Sequence, residues 1–230
     1  METTLHRELK RLYAGGDNGV EKSLAGYRID AVADGRLIEV QVASLSAIRP
    51  KIRQLLQQHF DVTVVKPITA RKQIVWRQRR GGREVSRRWS PHREGFREVF
   101  VELVYFVDIF PHPRLTLELL LTTEEEWRVP RRTCGRRRRN YSVEDRRLLS
   151  IDDRRELRAG DDLLDLLPTA VKQLTNSGPF TTQDLAAAAD VPRWMAQKMA
   201  YCLRHLGVWE AIGKRQRAWL YRPKVKRVAA

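Results

Sequence analysis

Two carboxylates and one amide in the first part of the chain are candidates for a site that holds a divalent cation. Glu39 follows Asp30 by nine positions, and Gln41 follows Glu39 by two. Carboxylate oxygens suit Mg²⁺ or Mn²⁺, which take one or two protein carboxylates and complete their coordination with water and substrate phosphate. These residues could therefore hold a divalent cation that also binds a substrate phosphate, if the fold brings them together.

Asp30 and Glu39 are expected to face each other across a hairpin. The segments on both sides of Asp34-Gly35 alternate as strands do, and Asp-Gly is a strong signal for a two-residue turn. Facing residues then have numbers that sum to 69, which puts Asp30 opposite Glu39. Opposed Cβ atoms lie about 5 Å apart, where like charges destabilise a sheet unless they are neutralised. A divalent cation is the expected neutraliser.

A third carboxylate, Glu21, extends the row if the Ala25-Gly26 turn is also a two-residue loop. Facing residues then sum to 51, and Glu21 falls opposite Asp30. A slip of one residue would move Glu21 to the other face, because side chains alternate along a strand. The same alternation puts Gln41 on the face of Glu39. Glu21 is therefore a further candidate metal ligand and catalytic residue.

The segments that carry these residues alternate between helix and strand. Leucines at positions 5, 9 and 12 form one helical stripe, which ends at Gly15. Strand, helix and strand then form a crossover unit, so the Glu39 strand is expected inside a mixed α/β sheet. The predicted strands are 20–24, 27–33, 36–43 and 62–67, and the predicted helix has its apolar positions at 48, 52, 55 and 56.

This arrangement resembles the PD-(D/E)XK nuclease superfamily over residues 4 to 67. The resemblance implies a restriction-endonuclease-like fold with flanking helices, in which Asp30 and Glu39 hold Mg²⁺, with Mn²⁺ as a substitute. It also puts Gln41 at the position usually held by lysine, near the attacking water. Two features depart from the pattern, since the Pro-Asp pair is missing and glutamine replaces lysine.

The glutamine creates a need for another cation. Gln41 cannot carry the positive charge that helps to stabilise a pentacovalent phosphate. Lys51 is the candidate catalytic cation, because it lies in the helix after the Glu39 strand, to which the lysine has moved in some members of the superfamily. An ordinary surface lysine stays an open alternative. Glu8 on the first helix is a weaker candidate for an additional acidic group.

The chain is strongly basic, with a net charge of +16 over 230 residues. Arginine provides the charge wherever it clusters, and guanidinium groups suit bidentate contacts with phosphate oxygens. A polyanion is therefore the expected partner, and DNA is the first choice. Candidate nucleic-acid contacts in two clusters are Arg79, Arg80, Arg83, Arg87 and Arg88, and then Arg136, Arg137, Arg138 and Arg139.

The last part of the chain has the order of a winged-helix domain, which residues 180 to 223 resemble. Thr181 or Thr182 caps a first helix, Pro192 starts a second, and Gly213 is expected to bend a hairpin. The second helix would enter a DNA groove and the hairpin would contact the backbone. Trp194, Met195, Met199 and Leu203 are expected to pack inward, and the nucleic-acid contacts are Arg193, Lys198, Lys214, Arg215 and Arg217.

The sequence therefore predicts two domains, a nuclease-like one over 1–150 and a winged helix over 161–225. Within the first, a basic insertion is expected at about 77–95 and an arginine-rich arm at about 128–140. No apolar run reaches the roughly 20 residues of a membrane span, and two cysteines provide neither zinc-ligand spacing nor a disulfide framework. A cytoplasmic protein is expected.

The leading functional hypothesis is a Mg²⁺-dependent endodeoxyribonuclease in which the winged helix positions the DNA, with a homodimer left open. One alternative is a DNA-binding regulator that retains a nuclease-like fold without catalysis. Another is an RNA-binding or RNA-processing factor that uses the same arginine surfaces.

Overall fold

The computed structural model describes residues 2–15, 20–24, 26–131 and 140–225. It is an α/β protein with a mixed central sheet and flanking helices. Within these ranges, no helix is long and apolar enough to cross a membrane. The chain divides into two compact units: Met1–Val42, Phe60–Phe96 and Leu117–Arg155 form the first, and Ala43–His59, Arg97–Thr116 and Glu156–Ala230 form the second.

In the described residues, seven strands form the main sheet in the order β1-β2-β3-β4-β6-β7, and β5 pairs with β4. The first helix is α1, Thr4–Ala14. The strands are β1 Val20–Leu24, β2 Tyr27–Ala33, β3 Arg36–Val40, β4 Val62–Arg77, β5 Glu84–Trp89, β6 Leu115–Pro130 and β7 Tyr141–Leu157.

Both predicted hairpin registers are confirmed. Lys22 pairs with Ile29 between β1 and β2, and Ala31 pairs with Ile38 between β2 and β3, both antiparallel. Strand β4 runs parallel to β3 and pairs Val64 with Glu39, so the Glu39 strand lies between two neighbours as expected. Asp34 and Gly35 form the turn with positive φ angles of 49° and 73°, which suits the Asp-Gly pair.

Helix α1 packs on the part of the sheet that carries Ala31, Ile38 and Val40. Its Leu5 and Leu9 are fully buried in that cluster. Leu12, the third leucine of the predicted helical stripe, is half exposed. The Thr3 hydroxyl caps the start of the helix by accepting the N–H of His6.

The second unit contains five helices and a two-stranded sheet among its described residues. They are α2 Arg49–Gln57, α3 Val99–Leu103, α4 Thr169–Ser177, α5 Thr182–Ala189, α6 Arg193–His205, β8 Trp209–Arg215 and β9 Ala218–Pro223. Helix α2 confirms the amphipathic helix expected after the Glu39 strand, and α4 was not predicted. Thr181 caps α5, and its side chain and Asp184 form a reciprocal capping box.

The hairpin of the second unit turns at a different place from the one predicted. Gly213 does not bend the hairpin, because it lies at a register shift inside β8 with a φ of 151°. The turn itself is formed by Gln216 and Arg217, between the paired residues Arg215 and Ala218. Glycine is needed at the shift because bulges use backbone angles that other residues avoid.

The cap of α5 provides a test of the second unit. Thr181→Ala removes the side-chain acceptor for the N–H groups of Gln183 and Asp184. We expect the free energy of unfolding to fall by about 1 kcal/mol, measured by urea denaturation. Thr182→Ala, at the first helical position, is the matched control and should be close to neutral. Equal effects of the two substitutions would contradict the capping role.

Candidate functional site

Asp30 lies where the pairing between β2 and β3 stops. The recorded pairs run from Ala33 with Arg36 to Ala31 with Ile38. One position further, the Val40 N–H donates to the Asp30 carboxylate at 2.9 Å. The backbone of β3, the strand that carries Glu39, thus fixes the Asp30 side chain. The facing of Asp30 and Glu39 stays a prediction, since the pairing between the strands ends at Ala31 and Ile38.

A lysine from α1 reaches the acidic row. The Lys10 ammonium lies 2.9 Å from Asp30 Oδ1, 2.9 Å from Glu21 Oε1 and 2.7 Å from Glu2 Oε1. Only 6% of its side chain is exposed. His6, one helical turn earlier, places Nε2 3.4 Å from Asp30 Oδ2. The structure thus brings together Asp30 and Glu21 as predicted, and a protein ammonium provides charge neutralisation that the sequence analysis assigned to a divalent cation.

Lys10 was missed although the chain contains a signal for it. His6 and Lys10 are four residues apart, so they share one face of α1 directly beside the buried leucines. A lysine at the edge of an apolar stripe usually extends its charge into solvent. Only the position of α1 over the sheet decides that this lysine turns toward carboxylates, and helical spacing does not contain that information.

These contacts change the proton affinity of the cluster. Burial of the Asp30 carboxylate would raise its pKa, but hydrogen bonds from His6, Lys10 and the Val40 N–H outweigh burial and lower the pKa to about 2. Burial likewise opposes the charge on Lys10, but hydrogen bonds to Glu2, Asp30 and Glu21 raise the pKa of Lys10 above its ordinary value. Asp30 and Lys10 are therefore both charged at neutral pH.

Glu39 and Gln41 are buried on the sheet beside a lysine that the sequence analysis did not consider. The parallel register pairs Glu39 with Val64, and the Gln41 N–H donates to Val65 O at 2.8 Å. The next step of the same register brings Lys66 beside Gln41, and paired residues of parallel strands point to one face. Lys66 is only 7% exposed, and its Nζ lies 3.4 Å from the carbonyl oxygen of Val42.

The remaining site candidates lie elsewhere. Lys51 is on α2 in the second unit, and its catalytic role stays a prediction. Glu8 accepts the N–H of Leu148 on β7 at 2.9 Å, so it ties α1 to that strand. Within the described part of the chain, no three His, Cys, Asp or Glu side chains form a group that could hold a metal ion.

A second acidic row was not anticipated. Glu124, Glu125 and Glu126 are consecutive buried residues of β6. Glu126 lies 3.0 Å from Lys72 and 3.3 Å from Arg146, and although burial opposes its charge, Lys72 and Arg128 lower the pKa of Glu126. In the sequence, the run of three glutamates near arginine-rich segments was the feature that could have predicted this second acidic row.

The second acidic row already forms ion pairs with part of the basic surface. Arg87 contacts Glu84 and Glu125, and the Trp127 ring lies 4.1 Å from the Arg77 guanidinium. Arg87 is therefore neutralised by the protein, although it was proposed as a nucleic-acid contact. The other arginines of that cluster, Arg79, Arg80, Arg83 and Arg88, are exposed, while Arg136, Arg137, Arg138 and Arg139 lie outside the described residues.

Helix α6 presents a different surface from the one predicted. Met195, Met199 and Leu203 are buried as expected, but Trp194 is 51% exposed, so its predicted inward packing is wrong. Trp194 precedes the buried Met195 by one residue, so it points about 100° away from Met195 around the helix axis and lies outside the buried stripe. Of the predicted contacts, Lys198 is half-buried, and Arg193, Lys214, Arg215 and Arg217 are exposed.

The lowered pKa of Asp30 predicts a pH dependence of stability. A carboxyl whose pKa is lower in the folded chain stabilises the fold above its unfolded pKa and loses this effect as pH falls through the folded pKa. We expect Asp30 to contribute about 2 kcal/mol at neutral pH, lost between about pH 4 and pH 2. Urea unfolding of Asp30→Asn across this range should show a shallower pH dependence than the wild type.

Asp153→Asn is the control for this measurement, since Asp153 is a carboxyl of the same unit whose side chain is 41% exposed. Its pH profile should follow that of the wild type. A profile of Asp30→Asn that matches the wild type would mean that the Lys10 and Val40 contacts do not stabilise the ionised carboxylate.

Comparison with known proteins identifies the family of this chain. Residues 3–158 match the family described as Domain of unknown function (DUF8091). A protein of Treponema pallidum (strain Nichols), described as an uncharacterized protein, is 29% identical over 225 residues, which cover 96% of this chain and 85% of the relative. No solved structure matches significantly. Because the family match spans more than half of the 230 residues, the chain belongs to the DUF8091 family.

Proposed function

We propose that the protein is a metal-dependent endonuclease that hydrolyses phosphodiester bonds in DNA. The observation that carries the proposal is the buried Lys66 beside the Gln41 position on the neighbouring parallel strand. It supplies the cation whose absence from position 41 was the main objection to a PD-(D/E)XK site. The order of hairpin, central strand, helix α2 and parallel β4 further supports the restriction-endonuclease-like fold that the resemblance implies.

Asp30 and Glu39 have the donor type that a hard divalent cation takes, and the ion would have to displace the contacts that Lys10, His6 and the Val40 N–H now make with the two Asp30 oxygens. Asp30 is ionised at all pH values well above 2, Glu39 is buried on the adjoining strand, and carboxylate oxygens are what Mg²⁺ prefers. Asp30 and Glu39 would hold the ion, with Glu21 as a third candidate. When bound, Mg²⁺ would supply a Lewis acid for the phosphoryl oxygen and lower the pKa of a coordinated water.

Each of three side chains has its own role in this proposal. Gln41 orients the attacking water with its amide, which can both donate and accept. Lys66 stabilises the negative charge that develops on the phosphoryl oxygens. Lys10 keeps Asp30 ionised and oriented through the 2.9 Å contact.

DNA is the proposed substrate because the basic groups lie on elements suited to its backbone. The order α5, α6, β8 and β9 supports a winged-helix domain in the second unit. Its helix and hairpin present Arg193, Lys214 and Arg217 to solvent. The exposed arginines between β4 and β5 add a second cationic surface on the first unit.

Cleavage assays test the proposal directly. Purified protein is incubated with duplex, single-stranded, flap and four-way DNA in Mg²⁺, Mn²⁺ or EDTA. We expect metal-dependent cleavage that falls about 100-fold or more in Asp30→Asn and Glu39→Gln. Asp34→Asn, an exposed substitution in the turn of the same hairpin, should retain activity. Metal-dependent cleavage that survives both site substitutions would refute the assignment.

The role of Lys66 has its own test. Lys66→Met should lower the rate of single-turnover cleavage about 100-fold without weakening DNA binding, because the cation acts on charge that forms in the transition state. Lys66→Arg should recover part of the rate. Lys51→Met is the matched comparison for the alternative cation, and a loss there with full activity of Lys66→Met would transfer the role to Lys51.

A second candidate is a non-catalytic DNA-binding regulator, favoured by the position of Lys10. Its ammonium already bridges Glu2, Glu21 and Asp30, as a structural ion cluster would. In that case all DNA and RNA substrates remain intact in Mg²⁺ and Mn²⁺. Salt-sensitive binding to DNA then persists in the wild type, Asp30→Asn and Glu39→Gln alike.

Both candidates predict phosphate contacts by the arginines of the β4–β5 hairpin. Arg80→Ala should weaken duplex binding uniformly across sequences and reduce the slope of log affinity against log salt by about 1. Fluorescence anisotropy between about 50 and 200 mM salt measures this slope. Arg87→Ala is the internal control, since Arg87 is already paired with Glu84 and Glu125 and its loss should leave the slope unchanged.

A further inference from the structure

One face of α6 consists of aromatic rings interleaved with cationic side chains. Trp194, Lys198, Tyr201 and His205 follow each other at spacings of four, three and four residues, which is one helical stripe. Trp194 is 51% exposed and Tyr201 is 37% exposed. The Lys198 ammonium lies 5.7 Å from the centre of the Trp194 ring, and the His205 ring lies 4.2 Å from that of Tyr201.

The hairpin of the same unit repeats this combination. Trp219 on β9 is 51% exposed, and the Lys214 ammonium lies 4.8 Å from the centre of its ring. The two residues are register partners on β8 and β9. Two separate elements of one unit thus present a large exposed ring with a cation against it.

The electrostatics of these elements favour an anionic partner. Helix α6 contains Arg193, Lys198 and Arg204 and no acidic residue. The tip of the hairpin adds Lys214 and Arg217. A purely apolar docking face for a protein would not be expected to carry this density of a single charge sign, because cores of protein interfaces are depleted in lysine.

Exposed indole and phenol rings also select a form of nucleic acid. Indole has a single donor and no acceptor, so it reads base edges poorly. Its face stacks well on a base, but bases inside a duplex are already stacked on their neighbours. Unpaired bases offer that face, and stacking on aromatic side chains between cationic groups is how single strands are bound without sequence preference.

We propose that the second unit binds single-stranded DNA, with unpaired bases stacked on Trp194, Tyr201 and Trp219. Arg193, Lys198 and Lys214 neutralise the adjacent phosphates. This inference rests on the proposed action on DNA and narrows its substrate to DNA with a single-stranded portion, such as a flap, a gap or a melted end.

Binding in EDTA tests the inference apart from cleavage. The full chain is titrated into three fluorescent probes of about 20 nucleotides: a single strand, its duplex, and an abasic strand with the same phosphates. We expect the wild type to bind the single strand about tenfold more tightly than the abasic strand. Trp194→Ala and Trp219→Ala should each weaken single-strand binding about tenfold and leave the duplex and abasic affinities unchanged.

Two variants control for structural damage. Trp194→Phe keeps a stacking ring and should retain most of the affinity. Tyr105→Ala removes a ring of the same unit that is 52% exposed and should change nothing. Circular dichroism and unfolding midpoints of all variants establish that they fold.

The outcomes separate this inference from the proposed function. Equal weakening on all three probes, or no change on any, overturns the stacking surface while duplex cleavage or binding still supports action on DNA. In the case of no change, the rings serve another partner, such as a protein. Failure of every probe to bind would refute both the stacking surface and the proposed function.

Discussion

The contact of Lys10 with three carboxylates decides how the first unit is assembled. Its ammonium joins α1 to β1 through Glu21 and to β2 through Asp30. Desolvating an ammonium and several carboxylates costs several kcal/mol, and mutual attraction offsets this only when geometry and further hydrogen bonds are good. Here the Val40 N–H and His6 also contact the Asp30 carboxylate. The position of α1, the end of the β2–β3 pairing and the ionisation of Asp30 therefore depend on one another.

The net charge of +16 overstates what is available to a partner. On β4 to β7, the charges of Lys72, Arg87, Arg128 and Arg146 meet Glu125 and Glu126. Arg77 and Arg147 lie against Trp127, where cation and ring hold each other in place. These contacts link the side chains of the long strands β4, β6 and β7. Among the described residues outside this network, the β4–β5 turn and the turn between β8 and β9 present exposed arginines.

The sequence predicted features that depend on neighbouring residues, but it did not predict contacts between segments that are distant in the chain. The bounds of β1 and β2 and the registers at Gly26 and Gly35 followed from turn residues and alternation, because both act within a few residues. The strand predicted over 36–43 ends at Val40, and the strand predicted over 62–67 continues to Arg77. Lys10 and Lys66 were missed because their roles arise from elements that are distant in sequence. Trp194 was misassigned because an apolar residue at the edge of a helical stripe has no local signal for core or solvent. Glu39 and Gln41 are buried, and their role in a site stays a prediction.

The proposed catalytic cation at position 66 can reach the place of a lysine at position 41. Adjacent strands lie about 4.8 Å apart, and residues paired in a parallel sheet point to the same face. The backbone of Lys66 therefore lies about one strand spacing from the backbone of residue 41. The flexible four-carbon side chain of lysine can span that distance. In the proposed site, Gln41 would orient water and Lys66 would supply the positive charge that glutamine lacks. The proposal needs these two positions to adjoin on one face of the sheet, and the parallel register of β3 and β4 brings them there.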